Sequence, residues 1–371
     1  MSGKELKKNT AAPTLLWWGR SDADYSRNRI LLQVLADLGW KVEFFRPWFS
    51  RFGDVEAALS GRKRPDLVWV PCFRQRDVAA AARYCKRMAV PLVADPLISA
   101  YDKQVFERRK FSACSRRGRR LLAQESQLLS RADYVLADTE AHAVFFRDVL
   151  KVAGDRIAVV PVAAEETLFR PGERSEKLHG EPLEVLFFGS FIPLQGPQVI
   201  VDAARCYQGP PLSWCLLGDG PLLAECQERA AGLANVAFEK WIPYSQLPAR
   251  IARADILLGI FGSTLKAARV VPNKVYQAAA CGRPVVTLRS GAYPAELLSR
   301  EDSGFRWVPA GDAAALAAAV AALASDRGKL ALYGVAARDS YEKYLSMAQV
   351  RRQLAAVLIN FGITLDEPAN G

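Results

Sequence analysis

The chain has 371 residues, 50% of them hydrophobic and 24% charged, which favours two globular domains over a disordered chain. Its net charge of +11 favours polyanionic partners such as nucleic acid, an anionic membrane surface or phosphorylated substrates.

Seven scattered cysteines and two histidines disfavour a metal site, and we expect the cysteines to be buried thiols. Without a signal-peptide core or an apolar run of membrane-spanning length, we expect a cytoplasmic protein, with peripheral attachment to the inner face of the plasma membrane as an option.

Short apolar runs alternate with amphipathic segments through the first half of the chain. This alternation favours a doubly wound parallel sheet, which we assign to an N-terminal domain of residues 1–170. Strands are predicted at residues 15–18, 41–45, 66–70, 91–95, 132–138 and 156–160. Helices are predicted at residues 27–38, 77–88 and 140–149, and a further helix should follow residue 120 and end at residue 131.

A basic stretch, residues 103–120, interrupts this alternation with eight Lys and Arg residues against Glu107 alone. It would suit an anionic lipid surface or an acidic, lipid-linked acceptor. The alternative is a solvated arginine-rich segment. No recognised nucleic-acid motif accompanies it, so we expect no nucleic-acid partner.

A polar linker, residues 171–182, precedes a second domain at 183–340. This domain repeats one pattern three times: an apolar strand, a glycine-containing turn, and a proline near a helix start. The strands are 184–188, 212–217 and 255–260, and their loops should lie along one edge of one sheet. Helices are predicted at 313–323, 329–338 and 342–359, and the last segment, 341–371, should pack back on the N-terminal domain.

The loop after the third of these strands, residues 261–274, is basic and precedes a helix predicted at 275–281. Lys266, Arg269 and Lys274 would lie beside the helix N-terminus, whose free N–H groups favour an anion. A diphosphate is the natural ligand for such a site. The alternative is a solvated basic loop before an ordinary helix.

Four segments of the second domain together resemble the family 4 retaining glycosyltransferases. They are Phe188–Gly196, Leu217–Pro221, Leu258–Gly262 with Lys266, and Pro272–Val286. The resemblance implies a GT-B fold, with two facing Rossmann-like domains and a cleft between them. It implies retaining transfer of a hexose from a nucleotide sugar, UDP- or GDP-linked, to a hydroxyl acceptor such as a lipid-linked or cell-envelope glycan, with no separate cofactor and no metal.

The resemblance also implies where the donor would bind. Its expected contacts are Gly19, Gly189, Ser190, Gln195, Gly218, Gly220, Gly262, Thr264, Asn273, Lys274 and Gln277. The family usually carries two glutamates where this chain has Arg269 and Gln277, and a basic pair where it has Ser190 and Gln195. We therefore expect the anion to be bound by Lys266, Arg269 and Lys274 instead.

At the end of the fourth strand, where many members have a histidine, this chain has Asp95. The expected catalytic residues are Asp95, Lys266 and Arg269, and a helix or loop cap is the alternative role for Asp95. His142 is expected on a helix surface and His179 in the linker. Because of the departures at Arg269 and Gln277, a non-catalytic scaffold that binds a nucleotide or an anionic partner remains the alternative function. A GT-B epimerase would need a catalytic acid pair that we cannot assign.

Overall fold

Six parallel strands form the sheet of the N-terminal domain in the computed structural model, which describes residues 12–172 and 182–361. The sheet order is β2-β1-β3-β4-β5-β6, and every neighbouring pair is parallel. The strands are β1 (Thr14–Trp18), β2 (Lys41–Phe45), β3 (Leu67–Val70), β4 (Leu92–Ala94), β5 (Tyr134–Ala137) and β6 (Ile157–Val159).

Helices cover both faces of this sheet, because most of its strand residues are buried and need apolar neighbours on each side. They are α1 (Ser26–Asp37), α2 (Gly53–Leu59), α3 (Val78–Met88), α4 (Arg116–Leu129) and α5 (Glu140–Asp148), with a π-helical turn at Asp102–Glu107. The predicted strands and helices are confirmed to within a few residues. Helix α2 and the π-helical turn were not predicted.

A second six-stranded parallel sheet has the order β12-β11-β10-β7-β8-β9. Its strands are β7 (Leu183–Phe188), β8 (Leu212–Leu217), β9 (Val236–Glu239), β10 (Ile256–Leu258), β11 (Val285–Leu288) and β12 (Phe305–Val308). Because β10, β7 and β8 are parallel neighbours, the three glycine-containing loops leave the sheet at one edge, as the sequence predicts. Both sheets have the doubly wound, Rossmann-like arrangement.

The helices of this half are α6 (Pro197–Cys206), α7 (Leu223–Arg229), α8 (Leu247–Arg253), α9 (Asn273–Ala280), α10 (Ala295–Ser299), α11 (Ala313–Ser325), α12 (Leu330–Tyr344) and α13 (Met347–Ile359). The predicted break between residues 338 and 342 is wrong, because buried Ser340 and Tyr341 continue α12. The chain bends at residues 345–346 instead, and α13 packs against α1 and β6 of the N-terminal domain.

Most of the predicted linker, residues 173–181, lies outside the described residues, and so does His179. Across the described ranges, no helix combines the length and the apolar character needed to cross a bilayer. The expectation of buried thiols holds for five cysteines but is wrong for Cys114 and Cys206, which are exposed.

Candidate active site

The loops after β7 and β10 meet where the chain connections leave the second sheet in opposite directions. From β7 the chain continues to β8 and β9 on one side, whereas β10, β11 and β12 lie on the other. In open parallel sheets, ligands bind at such a switch point, beyond the carboxyl ends of the strands. The candidate site is therefore the crevice formed by residues 189–196 and 259–272.

Glycines let these loops approach each other backbone to backbone. A Cβ on Gly218 would lie 2.0 Å from the carbonyl oxygen of Gly189, and one on Gly262 would lie 2.2 Å from that of Pro193. Gly220, with φ of +152°, packs against the backbone of Phe191. The structure thus brings together four of the five predicted glycines, Gly189, Gly218, Gly220 and Gly262, and close packing requires Gly218, Gly220 and Gly262 there.

Lys274 lies in the first turn of α9 with its ammonium group buried in this crevice. Its Nζ donates to Oε1 of Gln195 at 2.6 Å and lies 3.5 Å from the ring centroid of Phe187. Burial lowers the pKa of Lys274 well below its usual value. Ser190 is half-buried beside it, and α6 begins at Pro197. An anion bound here would meet the N-termini of two helices and one lysine.

The other two predicted cations contact the opposite domain. Nη1 of Arg269 donates to Oδ1 of Asp102 at 2.7 Å, and Lys266 forms an ion pair with Glu107. Both carboxylates belong to the π-helical turn of the N-terminal domain, five residues apart, where the i to i+5 spacing places them on one face. Lys266 and Arg269 thus form ion pairs between the domains, whereas Lys274 contacts residues of its own domain.

The loop that carries Arg269 is held in shape by two hydroxyl groups. Oγ1 of Thr264 accepts from the backbone N–H of Ala267 at 3.2 Å. Oγ1 of Thr139, from the N-terminal domain, donates to the carbonyl oxygen of Arg269 at 2.6 Å. Asn273 begins α9 and is half-buried. Thr264 and Asn273 therefore lie on the loop that lines the crevice.

Asp95 is buried in an ion pair within the N-terminal domain. Its two carboxylate oxygens accept from Nε and Nη2 of Arg27 at 2.9 and 3.1 Å. Nη1 of Arg27 also donates to the carbonyl oxygens of Val160 and Pro161. This geometry ties the end of β4 to the end of β6. Both oxygens of Asp95 therefore already have a hydrogen-bond partner, which gives the residue a structural role. Its catalytic role stays a prediction.

His142 is buried, so its expected position on a helix surface is wrong. Its Nδ1 hydrogen-bonds Oδ1 of Asp138, and its Nε2 lies 4.0 Å from Oδ2 of Asp102. Nε2 of His142 and Oδ2 of Asp102 have no hydrogen-bond partner among the described residues. The cluster joins Asp138, His142, Asp102 and Arg269 across the two domains. The spacing of Asp138 and His142 by four residues at a strand end is the signal that sequence analysis overlooked.

A second polar chain crosses between the domains at Gln277. Its Nε2 donates to the Tyr244 hydroxyl at 3.2 Å, which donates to Oε1 of Glu165 at 2.7 Å. Arg29 pairs with Glu165 at 3.0 Å and lies over the Tyr244 ring. The sequence analysis predicted that Gln277 contacts the nucleotide-sugar donor. It did not identify Tyr244, Glu165 or Arg29.

The glycine loop after β1 packs against a cation from the segment after β3 that the sequence analysis did not identify. Gly19 has a φ of +125°, and a Cβ there would lie 2.9 Å from Oδ2 of Asp77 and 3.1 Å from Nε of Arg74. Arg74 pairs with Asp77 at 2.6 Å and keeps 24% of its side chain exposed. Gly19 therefore packs against an ion pair whose arginine is partly accessible.

A cavity with a volume of about 1240 Å³ lies beside the crevice, between the domains. The end of β5 contributes Asp138 and Thr139, and the C-terminal domain contributes Tyr276 and Tyr293. The glycine loops after β7 and β8 do not line it. The cavity adjoins the His142 cluster through Asp138.

One group of side chains in the described ranges, Glu184, Cys215 and Glu239, is close enough to share a metal ion. Arg250 already donates to both carboxylates at distances from 2.6 to 3.0 Å. An arginine that satisfies both carboxylates makes this an ion-pair cluster.

Fold and site together define a glycosyltransferase of the GT-B class, and two family models match the chain. The model described as "Glycosyl transferases group 1" matches residues 182–326, and the "Glycosyl transferase 4-like domain" matches residues 19–163. The chain belongs to this family.

Curated relatives match parts of the chain, including these two. A D-inositol 3-phosphate glycosyltransferase of Acidothermus cellulolyticus is 37% identical over 24% of this chain and 20% of its own length. A GDP-mannose-dependent alpha-(1-6)-phosphatidylinositol monomannoside mannosyltransferase of Mycolicibacterium smegmatis is 31% identical over 43% of each chain. The matched stretches thus span less than half of these relatives.

Among solved structures, Anabaena Alr3699/HepE in complex with UDP has a TM-score of 0.71 and 17% identity. That alignment covers 94% of this chain and 100% of the Anabaena chain. At this identity, the similarity establishes the GT-B fold.

Proposed function

We propose that the protein is a retaining glycosyltransferase that moves a hexose from a nucleotide sugar to a hydroxyl acceptor. The observation that carries this proposal is Lys274, buried at the switch point between two helix N-termini, with a hydrogen bond from its Nζ to Oε1 of Gln195. A diphosphate bound there would favour the charged form of Lys274 and would interact with the helix dipoles.

The diphosphate is the leaving group of the reaction, so stabilising its charge lowers the barrier. In the proposed mechanism it also takes the acceptor proton on the face from which it departs, so no protein nucleophile is needed. Positioning then supplies much of the catalysis. The Lys266–Glu107 and Arg269–Asp102 ion pairs keep the two domains closed around the reacting groups.

The nucleotide is expected to be UDP or GDP. The Anabaena structure contains UDP, and another structure of that protein contains UDP-glucose. The M. smegmatis relative is named for GDP-mannose. The acceptor is proposed to be a lipid-linked or cell-envelope glycan, bound mainly by the N-terminal domain.

The test is thermal unfolding of wild type and Lys274→Met with UDP, GDP, UDP-glucose and GDP-mannose. A ligand at about 100 times its dissociation constant should add roughly 2.7 kcal/mol of stability. We expect one nucleotide series to stabilise wild type and not Lys274→Met. Lys240→Met, an exposed lysine of the same domain, serves as the matched control. No stabilisation of wild type by any of the four would contradict the donor site.

A non-catalytic scaffold is the second candidate, favoured by the partners that Arg269 and Gln277 already have. Nucleotide release from the stabilising nucleotide sugar, followed with a panel of glycan and lipid-linked acceptors, separates the two. Binding without turnover on any acceptor would support the scaffold.

A further inference from the structure

An unusual number of apolar side chains are exposed in one segment of the N-terminal domain. Among large hydrophobic residues of the described ranges, five exposed ones lie within twelve consecutive positions. We call them the aromatic face: Trp48 (77% exposed), Phe49 (71%), Phe52 (59%), Val55 (48%) and Leu59 (82%). Contiguous exposed apolar surface of this kind marks an interaction site.

The fold directs these side chains outward. In α2 the buried positions are Gly53, Asp54 and Ala57, and Asp54 pairs with Arg83 of α3 at 2.7 Å. Phe52, Val55 and Leu59 follow one another at intervals of three and four residues, which places them on the opposite side of the helix. A small, partly polar side of α2 therefore faces the protein, and an apolar stripe faces solvent.

The surroundings of the aromatic face are basic. Five exposed cations lie within it or next to it in sequence: Arg46, Arg51, Arg62, Lys63 and Arg64. Of the two acidic residues in the segment, Asp54 is buried, and Glu56 accepts a hydrogen bond from the backbone of Trp48 at 2.9 Å. The guanidinium of Arg20 lies 5.2 Å from the Trp48 ring centroid. The surface thus combines aromatic groups with an excess of positive charge.

We propose that the aromatic face binds an anionic membrane surface. Tryptophan and phenylalanine partition into the interface between headgroups and acyl chains, and Lys and Arg are attracted to anionic lipids. The same positive charge disfavours a second copy of this chain as the occupant, because the two faces would repel each other.

The basic stretch 103–120 leads into a helix on the same side of the sheet as the aromatic face. Helix α3 contacts both α2 and α4, so the three helices cover the same side of the sheet. The exposed cations at the start of α4 are Arg116, Arg117, Arg119 and Arg120. The sequence analysis suggested residues 103–120 as a membrane-binding segment. In the proposed arrangement, the apolar side chains that enter the membrane come from the aromatic face instead.

The test is co-sedimentation of the full chain with phosphatidylcholine vesicles prepared with and without phosphatidylglycerol. We expect binding to the anionic vesicles and little to the neutral ones. Trp48→Ser/Phe49→Ser should weaken binding at least about tenfold, and Arg51→Glu about fivefold or more. Trp241→Ser, a half-exposed tryptophan of the other domain, should bind like wild type.

Because all the substituted side chains are exposed, the variants should fold, and circular dichroism checks this. Unchanged vesicle binding by the double variant would overturn the proposal. Equal binding to neutral vesicles would also overturn it. Light scattering without vesicles provides a further test, because wild-type dimers lost in the double variant would show that a second copy occupies the face. None of these measurements uses a nucleotide sugar, so the outcome is independent of the proposed function.

Discussion

Arg269 of the C-terminal domain and Asp102 of the N-terminal domain meet across the cleft, with Nη1 and Oδ1 at 2.7 Å, although 167 positions separate them in the chain. The resemblance to the family 4 enzymes implies a glutamate at position 269. This chain therefore has a cation on the donor-domain loop, and the carboxylate beside it comes from the opposite domain. The charges of the cleft are rearranged, and the ion pair also joins the domains.

Removing either partner of this pair should loosen the closed arrangement. Arg269→Ala or Asp102→Ala should each cost about 1–3 kcal/mol, because each leaves a largely buried charge without its partner. The double variant should cost less than the sum of the two. Denaturant unfolding gives the coupling energy, and X-ray scattering should show a larger radius of gyration. The exposed Arg229–Glu225 pair is the comparison, with an expected coupling of about 0.3–0.5 kcal/mol. Additive effects at Arg269 and Asp102 would contradict the role of this tie.

Lys274 should make the stability of the protein depend on pH. Its folded-state pKa is lowered by burial, so between that value and the ordinary pKa of 10.5 the unfolded chain binds more protons. The free energy of unfolding should therefore rise with pH through this window, and Lys274→Met should flatten that rise. Urea unfolding from neutral pH to about pH 10 measures it. Lys240→Met should keep the wild-type slope, and a Lys274→Met curve parallel to wild type would refute the prediction.

The Arg27–Asp95 pair should behave as a structural element. Asp95→Asn should destabilise the protein by about 3–5 kcal/mol, since Arg27 would keep a buried charge with weakened compensation. Arg27→Met/Asp95→Leu should recover much of that loss. Asp148→Asn, at an exposed ion pair, should leave stability unchanged. If Asp95→Asn is as stable as wild type but inactive in sugar transfer, the direct catalytic role predicted from sequence would be favoured instead.

Gly218 should be intolerant of any side chain. With φ of +140° and a Cβ position 2.0 Å from the carbonyl oxygen of Gly189, Gly218→Ala should cost about 2–3 kcal/mol and weaken nucleotide binding. Gly232 also has a positive φ, but nothing lies within 4 Å of its Cβ position. Gly232→Ala should therefore cost only about 1 kcal/mol of backbone strain. Equal effects in thermal unfolding would show that the loop contact adds nothing.

Sequence analysis missed α2 for a physical reason. Periodicity methods assume that the apolar stripe of a helix faces the core. Here Phe52, Val55 and Leu59 face solvent, while Gly53 and Asp54 face the protein. The hydrophobic periodicity of α2 was therefore present in the sequence, but its apolar side chains face solvent and not the core. His142 was misplaced for a related reason, because its burial depends on Asp138 and Asp102 rather than on an apolar pattern.

The amino-acid sequence by itself determined the two parallel sheets and the glycine loops at one edge of the second. Buried strands appear in the sequence as short apolar runs, and Gly and Pro mark turns through their own backbone preferences. Strands and loops can therefore be predicted from local sequence. Only the tertiary structure decided which carboxylates meet Lys266, Arg269 and Arg27. A charge can pair with any opposite charge that folding brings near, and domain packing selects that partner from residues 68 to 167 positions away.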